Sequence, residues 1–189
     1  MNHVLYGFIA GFRYRHLLAA ILRDTPAGIM VTGISPEELK QKGIKAIALD
    51  FDGVLAPHGR PEPLPEAAAW LSHCCAAFGE EMVFILSNKP TQERQKWFHS
   101  RHPGIRFISG VRKKPYPDGL DQVILISGTD PGEVTLLDDR LLTGVLATCL
   151  AGTQVVYINA PYVDLPGNSL KESFFILLRT MERFLLSLA

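Results

Sequence analysis

Short apolar runs alternate with longer stretches of helical spacing along most of the chain. Five runs read as buried strands: Lys45 to Leu49, Met82 to Leu86, Arg106 to Ile108, Val134 to Leu137 and Gln154 to Ile158. Leu64 to Phe78, Thr91 to Arg101, Gly119 to Ile126 and Leu141 to Leu150 separate them with apolar residues at helical spacing. Such alternation predicts βαβ units, and therefore an α/β, Rossmann-like fold: a parallel sheet of about five strands with helices on both faces. Ahead of the first strand, Ser35-Pro36-Glu37-Glu38 has the chemistry of an N-cap, a first-turn proline and an acidic first turn, predicting a short helix to about Lys42. The last stretch, Leu170 to Leu188, is strongly apolar and is expected to pack on the sheet or against the N-terminal helix.

The N-terminus has a different texture. Val4 to Leu22 is mostly apolar, but Arg13, Arg15 and His16 interrupt it. The unbroken part, Val4 to Phe12, falls far short of the roughly 20 residues of a spanning helix. A basic leader region followed by a small-residue cleavage site is not clear either. Residues 1–23 therefore read as an apolar or amphipathic helix, either lying in a membrane interface or packed on the domain or on a partner. Residues 24–189 read as one globular domain, with no linker, repeat or low-complexity tract.

Charge narrows the partners. Lys plus Arg and Asp plus Glu each number 19, so the formal net charge is zero and nothing global points to nucleic acid. Cys74, Cys75 and Cys149 show no metal-ligand spacing and read as small buried hydrophobes of a reducing compartment, implying a cytoplasmic setting.

In open parallel sheets, ligands bind beyond the carboxyl ends of the strands. Three runs end there in polar residues: Asp50-Phe51-Asp52-Gly53-Val54, Ser87-Asn88-Lys89 and Asp138-Asp139. Carboxylates so close together repel unless a cation or proton compensates. A hard, oxygen-liganded ion such as Mg²⁺ meets that need, with Asp50, Asp139 and a backbone carbonyl near Asp52 as ligands. The plainer alternative is a solvated rim of Asp residues capping helices. Ser87 alone could be a helix cap, Lys114 in Arg112-Lys113-Lys114 a solvated base with Lys113 as a substitute, and His58 an exposed loop residue. His99 and His102 share helical spacing but have no carboxylate beside them before Pro103, and are set aside as metal ligands.

Order, spacing and strand context of these residues resemble the four motifs of the haloacid dehalogenase-like (HAD) phosphohydrolases. Asp50-Phe51-Asp52-Gly53-Val54-Leu55 is similar to the first, Ser87 to the second, Lys114 before Pro115 to the third and Asp139 to the fourth. The resemblance implies a Mg²⁺-dependent phosphatase in which Asp50 attacks phosphorus to form an aspartyl-phosphate and Asp52 is the general acid and base. Ser87 and Lys114, with Asn88 beside them, would hold the substrate's phosphoryl oxygens, and Asp50, Asp52, Asp138 and Asp139 would surround the metal.

The intervals between motifs leave no room for an inserted cap domain. An uncapped site implies a large substrate, a lipid headgroup or a macromolecule. Ile34 to Ala46, Ser87-Asn88-Lys89 and Arg140-Leu141-Leu142-Thr143-Gly144-Val145 resemble subfamily IIIA, the branch of YqeG-like proteins and phosphatidylglycerophosphate phosphatases. That resemblance implies conversion of phosphatidylglycerophosphate to phosphatidylglycerol, in phospholipid biosynthesis, by an enzyme peripheral to the inner face of a membrane. The basic N-terminal helix would suit an anionic surface. Alternatives are a soluble phosphomonoester or phosphoprotein as substrate, or a pseudoenzyme that binds a partner or membrane. Two positions depart from the branch. Gly144 stands where Asp is usual, and Asp138 where Gly is usual, so Asp138 is the residue that would supply the fourth motif's second carboxylate.

Overall fold

The computed structural model describes residues 3–88 and 91–189. Lys89 of the second motif lies outside the described residues. Five strands, β1 (Ala46–Leu49), β2 (Val83–Ile85), β3 (Arg106–Phe107), β4 (Val134–Asp138) and β5 (Gln154–Tyr157), form one sheet of order β3-β2-β1-β4-β5. Every pairing is parallel; Leu49 stands between Ile85 and Leu137. The expected α/β class and five-stranded parallel sheet are what the chain forms, with strand limits shifted by a residue or so.

Strand alternation builds two cores. Ile47 and Leu49 of β1 face α3 (Pro36–Gln41), α4 (Pro65–Phe78) and α5 (Gln92–Arg101) through Leu39, Leu71 and Phe98. Ala46 and Ala48 face the other way, onto α6 (Asp118–Ser127) and α7 (Leu146–Ala151) through Leu120, Val123 and Ala147. Both faces of β1 are thus buried, which is why its sequence is continuously apolar rather than alternating. Helix starts follow their local chemistry. Ser35 Oγ accepts from Glu38 N, Thr91 Oγ1 accepts from Arg94 N, and Pro36 and Pro65 occupy first-turn positions. Among the described residues, no inserted domain interrupts the segments between β1 and α4 or between β2 and β3.

The ends of the chain meet around a third core. The N-terminal stretch forms two helices rather than one, α1 (His3–Arg13) and α2 (Arg15–Asp24), because Tyr14 leaves helical geometry at φ −98°, ψ 9°. Ala10, Leu18, Leu141, Val145, Tyr157 and Leu186 draw α1, α2 and the last helix, α8 (Leu165–Ser187), together beside β5. Asn168, at φ −152° and ψ 57°, breaks the first turn of α8 from the rest. Packing of this helix against the N-terminal segment is as expected.

Candidate active site

The first motif sits where β1 ends, and the sheet continues into it through Asp50 N donating to Leu137 O. Gly53 then turns the chain at φ +86°, a conformation natural to glycine, and a Cβ there would stand 2.5 Å from Asp139 Oδ2. The turn is closed by Gly53 N donating to Ala56 O and by Tyr162 N donating to Gly53 O. Glycine at 53 therefore lets the first motif and the end of β4 approach each other.

Four of the expected residues converge on this spot. Lys114 Nζ lies 2.6 Å from Asp138 Oδ2 and 3.1 Å from Asp50 Oδ1, with Lys114 buried. Asp50, Asp138 and Asp139 each present an oxygen within 4.8 Å of the others. Lys113 is exposed, so it is Lys114 that the fold commits to the carboxylates. Asn88 Oδ1 accepts from Lys114 N at 3.0 Å, positioning the loop that carries the lysine. Ser87 is buried at the same rim. It does not cap the following helix, a task Thr91 performs. Ser87, Asn88, Arg112, Lys113 and Lys114 line a cleft of about 220 Å³. A larger hollow of about 570 Å³ lies between α5 and β3 and holds none of the carboxylates.

Asp138 also explains Gly144. Its Oδ1 accepts from Arg140 N at 2.9 Å, and its carboxylate fills the volume that a Cβ on residue 144 would need. The helix expected from Leu141 opens with a wider π-type turn, Leu141–Val145, before α7 begins. Acid at 138 and glycine at 144 are therefore one arrangement, with the carboxylate arriving from the strand instead of the helix.

Asp139 is held differently. Arg179 Nε of α8 lies 2.7 Å from Asp139 Oδ2, a close ionic contact without hydrogen-bond alignment. Both Asp139 oxygens, with Arg179 Nε and Nη2, stay buried with no hydrogen-bond partner among the described residues. Burial, opposed by Arg179 and reinforced by Asp138 and Asp50, pushes Asp139 up to about 8. Burial, opposed by Lys114 and reinforced by Asp138 and Asp52, pushes Asp50 up to about 7. Burial works against the Lys114 charge, yet Asp138 and Asp50 outweigh it and hold the ammonium above its usual range. A rim with buried, unsatisfied carboxylate oxygens and raised proton affinity suits a small divalent cation with oxygen ligands.

The Asp52 carboxylate turns away from this cluster. Arg94 of α5 grips it with two hydrogen bonds, Nη2 to Oδ1 at 2.6 Å and Nη1 to Oδ2 at 3.1 Å, and Gly59 N donates to Oδ1 at 3.1 Å. Burial would raise the Asp52 pKa, but the bonds and charge of Arg94 and the Gly59 N–H prevail and hold it below the ordinary carboxylate range. Arg94 is itself buried, with its guanidinium 3.9 Å above the Phe51 ring and Nε donating to Arg60 O.

Two histidines depart from expectation. His58 is buried rather than exposed. Its ring stacks on Phe175 at 3.7 Å between centroids and its Nδ1 lies 3.3 Å from Glu172 Oε2. Burial, opposed by Asp52 and Glu172, pushes its pKa down to about 4, so the ring is neutral near pH 7. His102 does meet a carboxylate, Glu80 at 2.9 Å, and Cys75 completes that group of ligand atoms. The sequence reading missed Arg94, Arg179, Glu172 and Glu182. The one available signal was charge at positions 172, 179 and 182, which share one face at helical spacing.

Residues 16–163 match the family described as mitochondrial PGP phosphatase. A protein named probable phosphatase YqeG, from Bacillus subtilis (strain 168), is 28% identical over 113 residues, covering 60% of this chain and 63% of that protein. The alignment thus spans less than two thirds of that relative's length. A crystal structure of an uncharacterized Corynebacterium glutamicum protein superposes with a TM-score of 0.48 at 19% identity, covering 73% of this chain and 96% of that one. With the family match covering all four motifs and most of the chain, this protein belongs to the PGP phosphatase family of HAD-like proteins.

Proposed function

We propose that the chain is a Mg²⁺-dependent phosphomonoester hydrolase acting on phosphatidylglycerophosphate, with Asp50 as nucleophile. The observation that carries this reading is the junction of Asp50, Lys114, Asp138 and Asp139 at one strand-end rim, in a member of the PGP phosphatase family. Asp50 Oδ would attack phosphorus, forming the aspartyl-phosphate as the ester P–O bond breaks and the departing oxygen takes a proton from Asp52. Water would then attack the phosphorus, giving its proton to Asp52 and freeing Asp50 and phosphate. Because Arg94 keeps Asp52 ionised in the resting protein, the acid form arises only when its side chain leaves the guanidinium. Lys114 and Ser87 would hold phosphoryl oxygens, and Asn88 would keep the Lys114 loop in place.

Asp50, Asp139 and Asp138, with the Asp52 carbonyl, would hold Mg²⁺, which supplies positive charge to the phosphoryl oxygens. The Asp138 carboxylate packed against Gly144 supports an active site over a pseudoenzyme, since the fourth motif keeps two acids. The lipid assignment is supported by the family and by the lack of an inserted domain over the site among the described residues. We place the protein in the cytoplasm, peripheral to a membrane; among the described residues no helix is long and apolar enough to cross one. The test is phosphate release from phosphatidylglycerophosphate in mixed micelles, beside a panel of soluble phosphomonoesters, with and without Mg²⁺. Mg²⁺-dependent release fastest on the lipid is expected. Faster turnover of a soluble ester would overturn the lipid assignment, and no release from any substrate would overturn the enzyme.

A further inference from the structure

Helix α8 is built inside out. At helical spacing its inner face carries Glu172, Phe175, Arg179, Glu182 and Leu186, and three of these five are charged. Glu172 is 0%, Arg179 4% and Glu182 5% exposed. The opposite face carries Leu170, Phe174, Leu177, Met181, Phe184 and Leu188, all open to solvent, with Leu170 88% and Phe184 62% exposed. A helix on a water-facing domain shows the reverse order. The inner charges are accounted for by their partners. Glu172 accepts from His58 N at 2.8 Å, Arg179 meets Asp139, and Glu182 binds Arg140 and accepts from Leu141 N at 3.0 Å. The outer apolar stripe has no partner among the described residues.

The width and charge of the surroundings select the occupant. Leu178 and Leu185 widen the stripe beyond the narrow seam of paired helices, and its other border is Ser173, Thr180 and Ser187, with no charges to register a second helix. The neighbouring α1 likewise exposes Leu5, Phe8, Ile9 and Phe12. On α1, α2 and α8 the exposed charges are Arg13, Arg23, Lys171 and Asp24; Arg23 and Asp24 pair with each other at 3.1 Å, which leaves Arg13 and Lys171 as a cationic surplus, although the whole chain is neutral. Wide apolar faces on helices whose unpaired exposed charges are cationic fit an anionic phospholipid surface rather than a second copy of the chain.

We propose that α8 docks in the plane of an anionic bilayer through its outer apolar stripe while its inner charges hold the two loops of the catalytic rim, Arg179 at Asp139 and Glu172 at His58. The choice of a lipid partner rests on the lipid reading above; the inverted helix does not. Because α1 packs Tyr6 on Tyr116, with ring centroids 4.1 Å apart, the second exposed helix buttresses the Lys114 loop in the same way. The membrane-facing helices thus set both sides of the site. The matched family span ends at residue 163, before α8 begins.

The experiment is co-sedimentation of the full chain with phosphatidylcholine vesicles, with or without phosphatidylglycerol, using the wild type and Leu177→Ser/Phe184→Ser. Circular dichroism and turnover of a soluble aryl phosphate check that the exposed substitutions leave fold and site intact. Wild-type binding to the phosphatidylglycerol vesicles, with about tenfold or greater loss in the double variant, is expected. Wild-type protein remaining in the supernatant, a folded variant that binds as well as wild type, or an α8-dependent dimer without vesicle binding would each overturn the proposal. The two readings fail separately. Vesicle binding without hydrolysis of phosphatidylglycerophosphate sinks the substrate assignment alone, whereas micellar hydrolysis without vesicle binding sinks the docking helix alone.

Discussion

A side chain on residue 144 would collide with the Asp138 carboxylate, so these two positions are coupled although each alone departs from the family branch. Gly144→Asp alone is expected to destabilise the protein by about 1–3 kcal/mol through overpacking. Adding Asp138→Gly, which returns one acid to each position's usual place, recovers most of the loss; urea unfolding of the two single variants and the double variant measures the coupling. Arg94 offers a second test. It holds Asp52 low against the pull of burial, so Arg94→Gln raises the Asp52 pKa. The alkaline limb of kcat/KM, set by loss of the proton that Asp52 gives to the leaving oxygen, then moves to higher pH. An unmoved limb would remove Asp52 from the proton-transfer role.

At the scale of elements, α8 is tied in by buried charge. Glu182 is shared by Arg140 and the Leu141 N–H, and removing one partner of a buried pair leaves the other uncompensated. Glu182→Ala is expected to cost about 3 kcal/mol or more, against a much smaller loss for breaking the exposed, solvent-screened Lys45–Glu133 bridge; thermal unfolding of both variants checks the contrast. The strands were legible because a parallel strand covered on both faces must be apolar throughout, as Ala46–Leu49 is. Their carboxyl ends were legible because Asp50, Ser87 and Asp138 each follow such a run directly. The inner face of α8 was not, since its charges find partners as distant in sequence as His58 and Asp139, and no local pattern marks those pairings. Arg94 was hidden for the same reason, sitting on a polar helix among other charged residues while its partner Asp52 lies one strand earlier, in the first motif.

For the whole molecule, the proposed metal would compete with protons for the same carboxylates. Burial pushes Asp50 up to about 7 and Asp139 up to about 8, against about 3.8 for an ordinary Asp. The metal-free fold therefore holds extra protons across that window, and their contribution to stability falls as pH rises through it. On the proposed function, Mg²⁺ would bind the ionised forms and replace those protons. The rise in Tm on adding Mg²⁺ is expected to be larger at about pH 8.5 than at about pH 6, and a larger rise at the lower pH would contradict the assignment of these two residues to the metal. The outer helices add a second whole-molecule feature, since α1 braces the Lys114 loop and α8 holds Asp139, so the carboxylate rim is supported from two sides.

The central claim is that Asp50 carries the phosphoryl group between substrate and water. Acid quenching during turnover of phosphatidylglycerophosphate, followed by mass spectrometry of the peptide containing Asp50 and Asp52, tests it directly. The account predicts a phosphate adduct on Asp50 that is absent, together with turnover, in Asp50→Asn. Full phosphate release by Asp50→Asn, or turnover by the wild type with the adduct on another residue, would contradict it.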